Sequence, residues 1–146
     1  MKKLLLLLAL TLGIGFSGMA RNAYTRDASI LPEAAKATIA NNFKAKVSLI
    51  KTEKTLGSIT EYEVILSDGS EISFDKNGNW DNIDMPANVS VPKGFILKGM
   101  SDYVNKKHPG QKIVSIDKER NGFEIELSNG IDMKFDKNGN FIKYDD

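Results

Sequence analysis

From residue 47 onward the chain alternates between apolar and polar positions. Tyr62, Val64 and Leu66, then Ile72 and Phe74, share one parity, while Glu61, Glu63, Glu71 and Ser73 take the other. The pattern returns at Phe123, Ile125, Leu127, Met133 and Phe135, set against Glu124, Glu126, Asp132 and Lys134. A period of two marks strands with one covered face and one polar face, as an antiparallel sheet shows. Strands are predicted over 47–54, 60–66, 71–75, 79–84, 113–119, 122–128, 131–136 and 140–144. Two stretches carry a helical period instead, with Ala35, Ile39 and Phe43 in the first and Leu97, Met100 and Val104 in the second. Pro32 and Pro92 mark the two helix starts, because proline suits the first helical position. Pro109-Gly110 stops the second helix, and Asp68-Gly69 and Asn129-Gly130 read as two-residue hairpin turns.

The pattern repeats itself. Residues 62–80 align without gaps onto residues 123–141, with ten of nineteen pairs identical. Leu31-Pro32-Glu33 matches Val91-Pro92-Lys93 upstream. The predicted fold is therefore α+β, a tandem duplication of a helix plus four-stranded antiparallel sheet unit. Its helices lie on one face and the other sheet face is open. Residues 31–86 form the first unit and 87–146 the second, after a linker at 21–30. A unit of ~60 residues is marginal alone, so the two are expected to pack together or share a sheet.

The first twenty residues stand apart. Lys2 and Lys3 precede an apolar run from Leu4 to Leu12, and Gly18 and Ala20 are the small residues of a cleavage site. This is an export signal, predicted to be cut after Ala20 and to send the chain to the periplasm or beyond. The chain has 146 residues, 20 Lys plus Arg, 19 Asp plus Glu, a single histidine and no cysteine. The charge balance argues against a nucleic-acid partner, because duplex affinity rests on neutralising many phosphates. Lack of cysteine excludes disulfides, thiol nucleophiles and Cys-ligated metals. After signal cleavage nothing in the sequence calls for a membrane, and no cofactor is expected.

Candidate chemistry gathers in two hairpins. Asp75-Lys-Asn-Gly-Asn79 and Asp136-Lys-Asn-Gly-Asn140 offer alternating oxygens, as a hard cation wants. Their glycine stands fourth, however, where an EF-type loop needs it sixth. Asp followed by Gly three residues later instead predicts a type I turn closed by a left-handed glycine. Trp80 follows the first loop. If the loop is a bulged three-residue one, Trp80 lies beside Phe74 in the core and Ile83, Ile142 and Tyr144 move to the open face. If Asn77-Gly78 is a two-residue turn, Trp80 stands opposite Asp75 on that face. Glu63, Ser73, Asp75, Trp80, Ile83, Glu124, Lys134, Ile142 and Tyr144 are the candidate binding residues. Glu61/Glu63 and Glu124/Glu126 read as solvated strand faces rather than an acid/base pair. His108 ends a helix and reads as a cap. No catalytic set is expected.

A signal peptide, helix-plus-strands units and a Phe-Asp-x-x-Gly-x-Trp/Phe signature together resemble one family. The signature stands as Phe74-Asp-Lys-Asn-Gly-Asn-Trp80 and Phe135-Asp-Lys-Asn-Gly-Asn-Phe141. The chain resembles the PepSY-like, beta-lactamase-inhibitor-like periplasmic proteins over residues 31 to 146. The resemblance implies a curved sheet surface and an exported, non-enzymatic binding module. Its expected partner is a protein or peptide of the cell envelope, with an inhibitor-like or regulatory role toward a hydrolase or peptidase. A calcium-responsive envelope protein using the two Asp-Lys-Asn-Gly-Asn loops is the alternative. The chain lacks the cysteines of the secreted beta-lactamase inhibitors, so inhibition of that enzyme is not implied.

Overall fold

The computed structural model describes residues 21–145, and the predicted leader with its expected cleavage after Ala20 lies outside them. The strands are β1 (Arg21–Thr25), β2 (Val47–Thr55), β3 (Ser58–Leu66), β4 (Glu71–Asp75), β5 (Trp80–Asp84), β6 (Ile113–Glu119), β7 (Gly122–Leu127), β8 (Asp132–Asp136) and β9 (Phe141–Asp145). Helix α1 (Glu33–Asn42) falls between β1 and β2 in the chain, and α2 (Lys98–Lys107) between β5 and β6. Every alternating run became a strand with ends within two residues of its predicted bounds.

The twofold helix-plus-four-strand fold expected from the sequence is overturned. The chain builds a single antiparallel sheet of nine strands in the order β1 to β9, with two α-helices. β5 pairs β6 through Asn82↔Asp117, Ile83↔Ile116 and Asp84↔Ser115, across the boundary drawn between the units. Separate four-stranded sheets would leave β5 and β6 as open edges with rows of unpaired N–H and C=O groups. Pairing them closes both edges and buries Ile83 and Ile116 completely. Residues 21–30, expected as a linker, supply a further strand, since β1 pairs β2 from Arg21↔Lys54 to Thr25↔Ile50.

The turns needed correction as well. Leu66 donates its N–H to the Ser70 carbonyl at 2.8 Å, and Gly69 donates to Leu66 at 3.0 Å. Leu127, Ile131 and Gly130 repeat this arrangement. These are three-residue loops in which only the glycine takes a positive φ (+89° and +87°). A two-residue turn of the hairpin type would need Asp68 and Asn129 there too. Pro92 begins a 3-10 turn at Lys93–Phe95 rather than α2, which starts at Lys98. That turn drops Phe95 into the core, with ring centroids 5.8 Å from Phe43 and 5.3 Å from Trp80.

One parity of the strands makes the core. Ile50, Val64, Leu66, Ile72, Phe74, Ile125, Leu127, Met133 and Phe135 join Ala35 and Ile39 of α1 and Met100 and Val104 of α2 in one buried cluster. At ~25 cal/mol per Å² of apolar surface, burial of this size is the main term holding a chain without disulfides.

Candidate functional site

The two Asp-Lys-Asn-Gly-Asn hairpins fold alike. Asp75 Oδ1 accepts from the N–H groups of Asn77 (2.8 Å) and Asn79 (2.9 Å), and Oδ2 accepts from the Asn79 amide at 3.1 Å. Asp136 takes the same three bonds from Asn138 and Asn140, at 2.9, 2.9 and 3.0 Å. Gly78 and Gly139 carry φ of +86° and +84°, and each donates its N–H to the loop's Asp carbonyl at 3.0 Å. The turn reading is therefore what the chain builds. Each carboxylate is spent on its own loop. Among the described residues, no group of His, Asp or Glu is placed to hold a metal ion.

Burial works against ionisation of Asp75, but the Asn79 and Asn77 hydrogen bonds outweigh it and hold the carboxyl below its ordinary value. The Asn140 bonds do the same for Asp136. A depressed folded pKa contributes stability that is present above the unfolded value of 3.8 and lost as pH falls through the folded one. Melting temperatures measured across acid pH are expected to fall less steeply for an Asp75→Ala/Asp136→Ala variant than for the parent. An unchanged acid limb would mean that these bonds carry no pH-dependent stability.

Each loop is followed by a bulge, and the bulge corrects the sequence reading. Trp80 pairs Phe74 on the core side, with Asp81 the extra residue before Asn82↔Ser73 and Ile83↔Ile72. Ile83 is thereby returned to the core, fully buried, rather than moved to the open face. Similarly, Phe141 pairs Phe135, Ile142 is the extra residue, and Tyr144 pairs Met133 on the helix side. Tyr144 hydroxyl lies 3.0 Å from His108 Nε2 and 3.3 Å from the Tyr103 hydroxyl. Its hydrogen bond pushes Tyr103 up to about 12. Of the apolar residues expected on the open face, Ile142 is 57% exposed at its bulge, and Tyr144 is 45% exposed but on the helix side. Trp80 is covered by Phe95 on one side and by the Lys118 ammonium 4.0 Å from its ring centroid.

The face away from the helices is built in rows, one residue per strand. One row reads Tyr24, Lys51, Glu63, Ser73, Asn82, Asp117, Glu124, Lys134, Lys143 from β1 to β9. The next reads Leu49, Ile65, Glu71, Asp84, Ser115, Glu126, Asp132, Asp145 from β2 to β9. Cross-strand neighbours stand ~4.5–5.5 Å apart at Cβ, so carboxylates crowd. The sequence reading of Glu124 and Glu126 as solvated is corrected, because they are 4% and 5% exposed. Lys134 covers Glu124 at 3.3 Å while also reaching Glu119 and Asp145. Lys51 sits between Glu53 and Glu63, at 3.4 and 3.1 Å. Asn82 donates to Asp117.

Burial, then the neighbouring carboxylates, raise Glu61 and Glu71 above the ordinary value. Burial raises Asp117 against its Asn82 bond. Burial and then a hydrogen bond with Glu119 raise Glu124. The Glu119 hydrogen bond in turn raises Lys134. The two rows thus set eight carboxylates beside three lysines (Lys51, Lys134, Lys143).

Of the nine predicted residues, the structure brings Glu63, Ser73, Glu124 and Lys134 into one row. Asp75 sits in its loop, Ile142 at a bulge, and Trp80, Ile83 and Tyr144 on the other side. The sequence reading missed Tyr24, Leu49, Ile65, Asn82 and Asp117. Parity carried through β2, β3 and β6 would have found Leu49, Ile65 and Asp117, whereas Asn82 lies past the Asp81 bulge and β1 buries too little to alternate.

Among the described residues, no helix is long and apolar enough to cross a membrane. No curated protein matches the chain. The family described as "Putative beta-lactamase-inhibitor-like, PepSY-like" matches residues 60–143. A solved Bacteroides vulgatus protein, described as a "putative periplasmic protein of unknown function", is 40% identical with a TM-score of 0.79, over 86% of this chain and 100% of its own. A Bacteroides thetaiotaomicron protein described as a "putative calcium-regulated periplasmic protein" is 32% identical with a TM-score of 0.77, over 86% and 97%. A second Bacteroides vulgatus protein, from the DUF2874 family and likewise described as periplasmic, is 28% identical with a TM-score of 0.74, over 86% and 97%. The chain belongs to the PepSY-like, beta-lactamase-inhibitor-like family.

Proposed function

We propose that the protein is an exported, non-enzymatic binding module of the periplasm, released from its leader after Ala20. It holds a basic segment of another envelope protein or peptide on the sheet face away from the helices. The observation that carries this is the double row of crowded carboxylates, ending at β1–β3 in Tyr24, Leu49 and Ile65. Tyr24 is 57% exposed and offers an aromatic anchor beside the acidic centre. A basic partner relieves the like-charge crowding that adds to burial in raising Glu61 and Glu71. The family's inhibitor-like description supports a hydrolase or peptidase as the partner that is held or regulated. The ring of His108 is occupied by Tyr144, which supports a reading without catalysis.

The test is capture from envelope extract by the immobilised protein, its start at Arg21 read from intact mass. Glu71→Lys/Asp84→Lys and Tyr24→Ala variants run alongside. The expected result is an enriched protein with a basic surface segment, released by salt because exposed charge pairs are screened. The charge-reversed variant retains less than a tenth of it, with an unlowered melting point. Equal capture by parent and reversed variant, or turnover in a hydrolase screen abolished by one substitution, sinks the reading.

Calcium regulation is the second reading, favoured by the description of the 32% identical relative. The loop carboxylates are engaged with their own backbone, so an ion would need to displace those bonds. A ligand of the native state at ~100 times its Kd adds about 2.7 kcal/mol. A melting midpoint that is the same in calcium and in chelator removes this reading.

A further inference from the structure

A cavity of about 430 Å³ lies on the helix side of the sheet, away from the carboxylate rows. It is framed by the segment from Ser90 to Ile96, one side of α2, and the segment from Gln111 to Ile113. These are the places where the second half of the chain departs from the pattern of the first. The 3-10 turn at Lys93–Phe95 delays α2, and the His108-Pro109-Gly110 turn lengthens the path into β6. The floor is apolar, formed by half-buried Ile96 with the edges of Val91, Val104 and Ile113, which belong to the core. The rim carries Lys93 and Lys112 with the Asn105 amide as a neutral donor, while the Ser101 hydroxyl gives its proton to the Lys98 carbonyl at 3.0 Å.

Two features narrow the ligand. The first is charge. The chain has 19 acidic residues, yet none lines this cavity, while two lysines do. Neither lysine has a carboxylate partner among the described residues. Lys112 is steered by a bond from its Nζ to the Asn88 carbonyl at 2.9 Å, which leaves its other protons for an anion. The second is shape. An apolar floor with convergent polar groups at the mouth, in the ~300–1,000 Å³ range, is the usual form of a small-ligand pocket.

We propose that this cavity binds a small anionic amphiphile, a monocarboxylate with a short alkyl chain. The chain lies on Ile96 and the edges of Val91, Val104 and Ile113, and the carboxylate sits between Lys93 and Lys112. This site is independent of the sheet-face reading, because it uses the opposite side of the sheet and other residues.

The experiment is a titration of the purified protein with octanoate, followed by amide NMR. Acetate serves as the anion without a chain, and octyltrimethylammonium as the chain without an anion. Octanoate is expected to shift residues 90–96, 101–105 and 111–113 in a saturable way. Acetate and octyltrimethylammonium should bind at least tenfold more weakly. Lys93→Glu/Lys112→Glu should weaken octanoate at least tenfold while its unperturbed amides confirm the fold. Asn105→Trp, on an exposed helix position, should block the cavity and leave the lysines in place. The proposal is overturned by the lack of any saturable shift below the micellar concentration of octanoate. Equal binding of the cationic amphiphile overturns it too, as does octanoate binding that survives both variants.

Discussion

Replacing Phe135 by alanine is expected to lower stability by about 3–5 kcal/mol, the range for deleting a buried aromatic ring. The ring is 1% exposed in β8. It meets the edge of Tyr103 at 5.9 Å between centroids and of Phe141 at 5.8 Å. Tyr103 in turn stacks on Phe141 at 4.2 Å, and Tyr144 meets Phe141 at 5.0 Å. This cluster ties α2 to β9, an edge strand that has hydrogen-bonded pairing on one side only. Losing the ring removes transfer energy and leaves a hole bounded by Tyr103 and Phe141, which the hydroxyl contact between Tyr103 and Tyr144 keeps from closing. A domain of this size is stable by ~5–15 kcal/mol, so the variant forfeits about a fifth of the total or more. The urea midpoint reports it. Ile142→Ser, at an exposed bulge of the same strand, should stay within about 0.5 kcal/mol. A shift at Phe135 under about 1 kcal/mol would mean that the cluster does not brace the edge.

The strands were legible because their burial is periodic. Tyr62 to Leu66 and Phe123 to Leu127 carry one apolar residue every second position, and that is a statement about a covered face. The signal fails where burial fails. β1 buries almost nothing, so its five residues look like linker, and with it goes Tyr24 of the candidate face. The continuity of the sheet was hidden for another reason. Which edges join is decided by the β5–β6 ladder, whose partners lie 31 to 35 residues apart, and alternation within each strand is the same whether or not they meet. A sequence repeat was therefore a poor guide to architecture.

The candidate face was legible by parity and wrong by one residue at two places. The bulges at Asp81 and Ile142 insert an unpaired position, and one inserted residue flips everything after it to the other side. Ile83 and Tyr144 were consequently assigned to the wrong face, while Trp80, before the bulge, was placed correctly by the bulged-loop option. Crowding was invisible for a different reason. Glu124 next to Lys134 and Asp117 is a cross-strand fact, and no single strand contains it.

Gly78→Ala is expected to cost about 2–4 kcal/mol, and Gly57→Ala only about 1. Both glycines hold a positive φ, +86° and +83°, where a Cβ costs roughly 1–2 kcal/mol. They differ in what the Cβ would meet. At Gly57 nothing lies within 4 Å, whereas at Gly78 a methyl would come 2.8 Å from Pro32 Cβ and 2.9 Å from the Ala35 backbone nitrogen. The loop must therefore back away from the first turn of α1, and overpacking of this kind adds ~1–3 kcal/mol. Gly139 faces Leu97 Cβ at a milder 3.1 Å, so its alanine variant should fall between the two. Ranked urea midpoints of the three variants measure the docking of each loop beneath a helix start, separately from glycine's conformational freedom. That docking gives the Asp-Lys-Asn-Gly-Asn signature a purpose without an ion. Asp closes the loop, and Gly lets it approach the helix. If calcium restored the Gly78→Ala midpoint, the loop would be an ion site after all. If calcium left it unmoved, the signature would stand as a packing device, and the search for function would belong to the sheet face and the lysine-rimmed cavity.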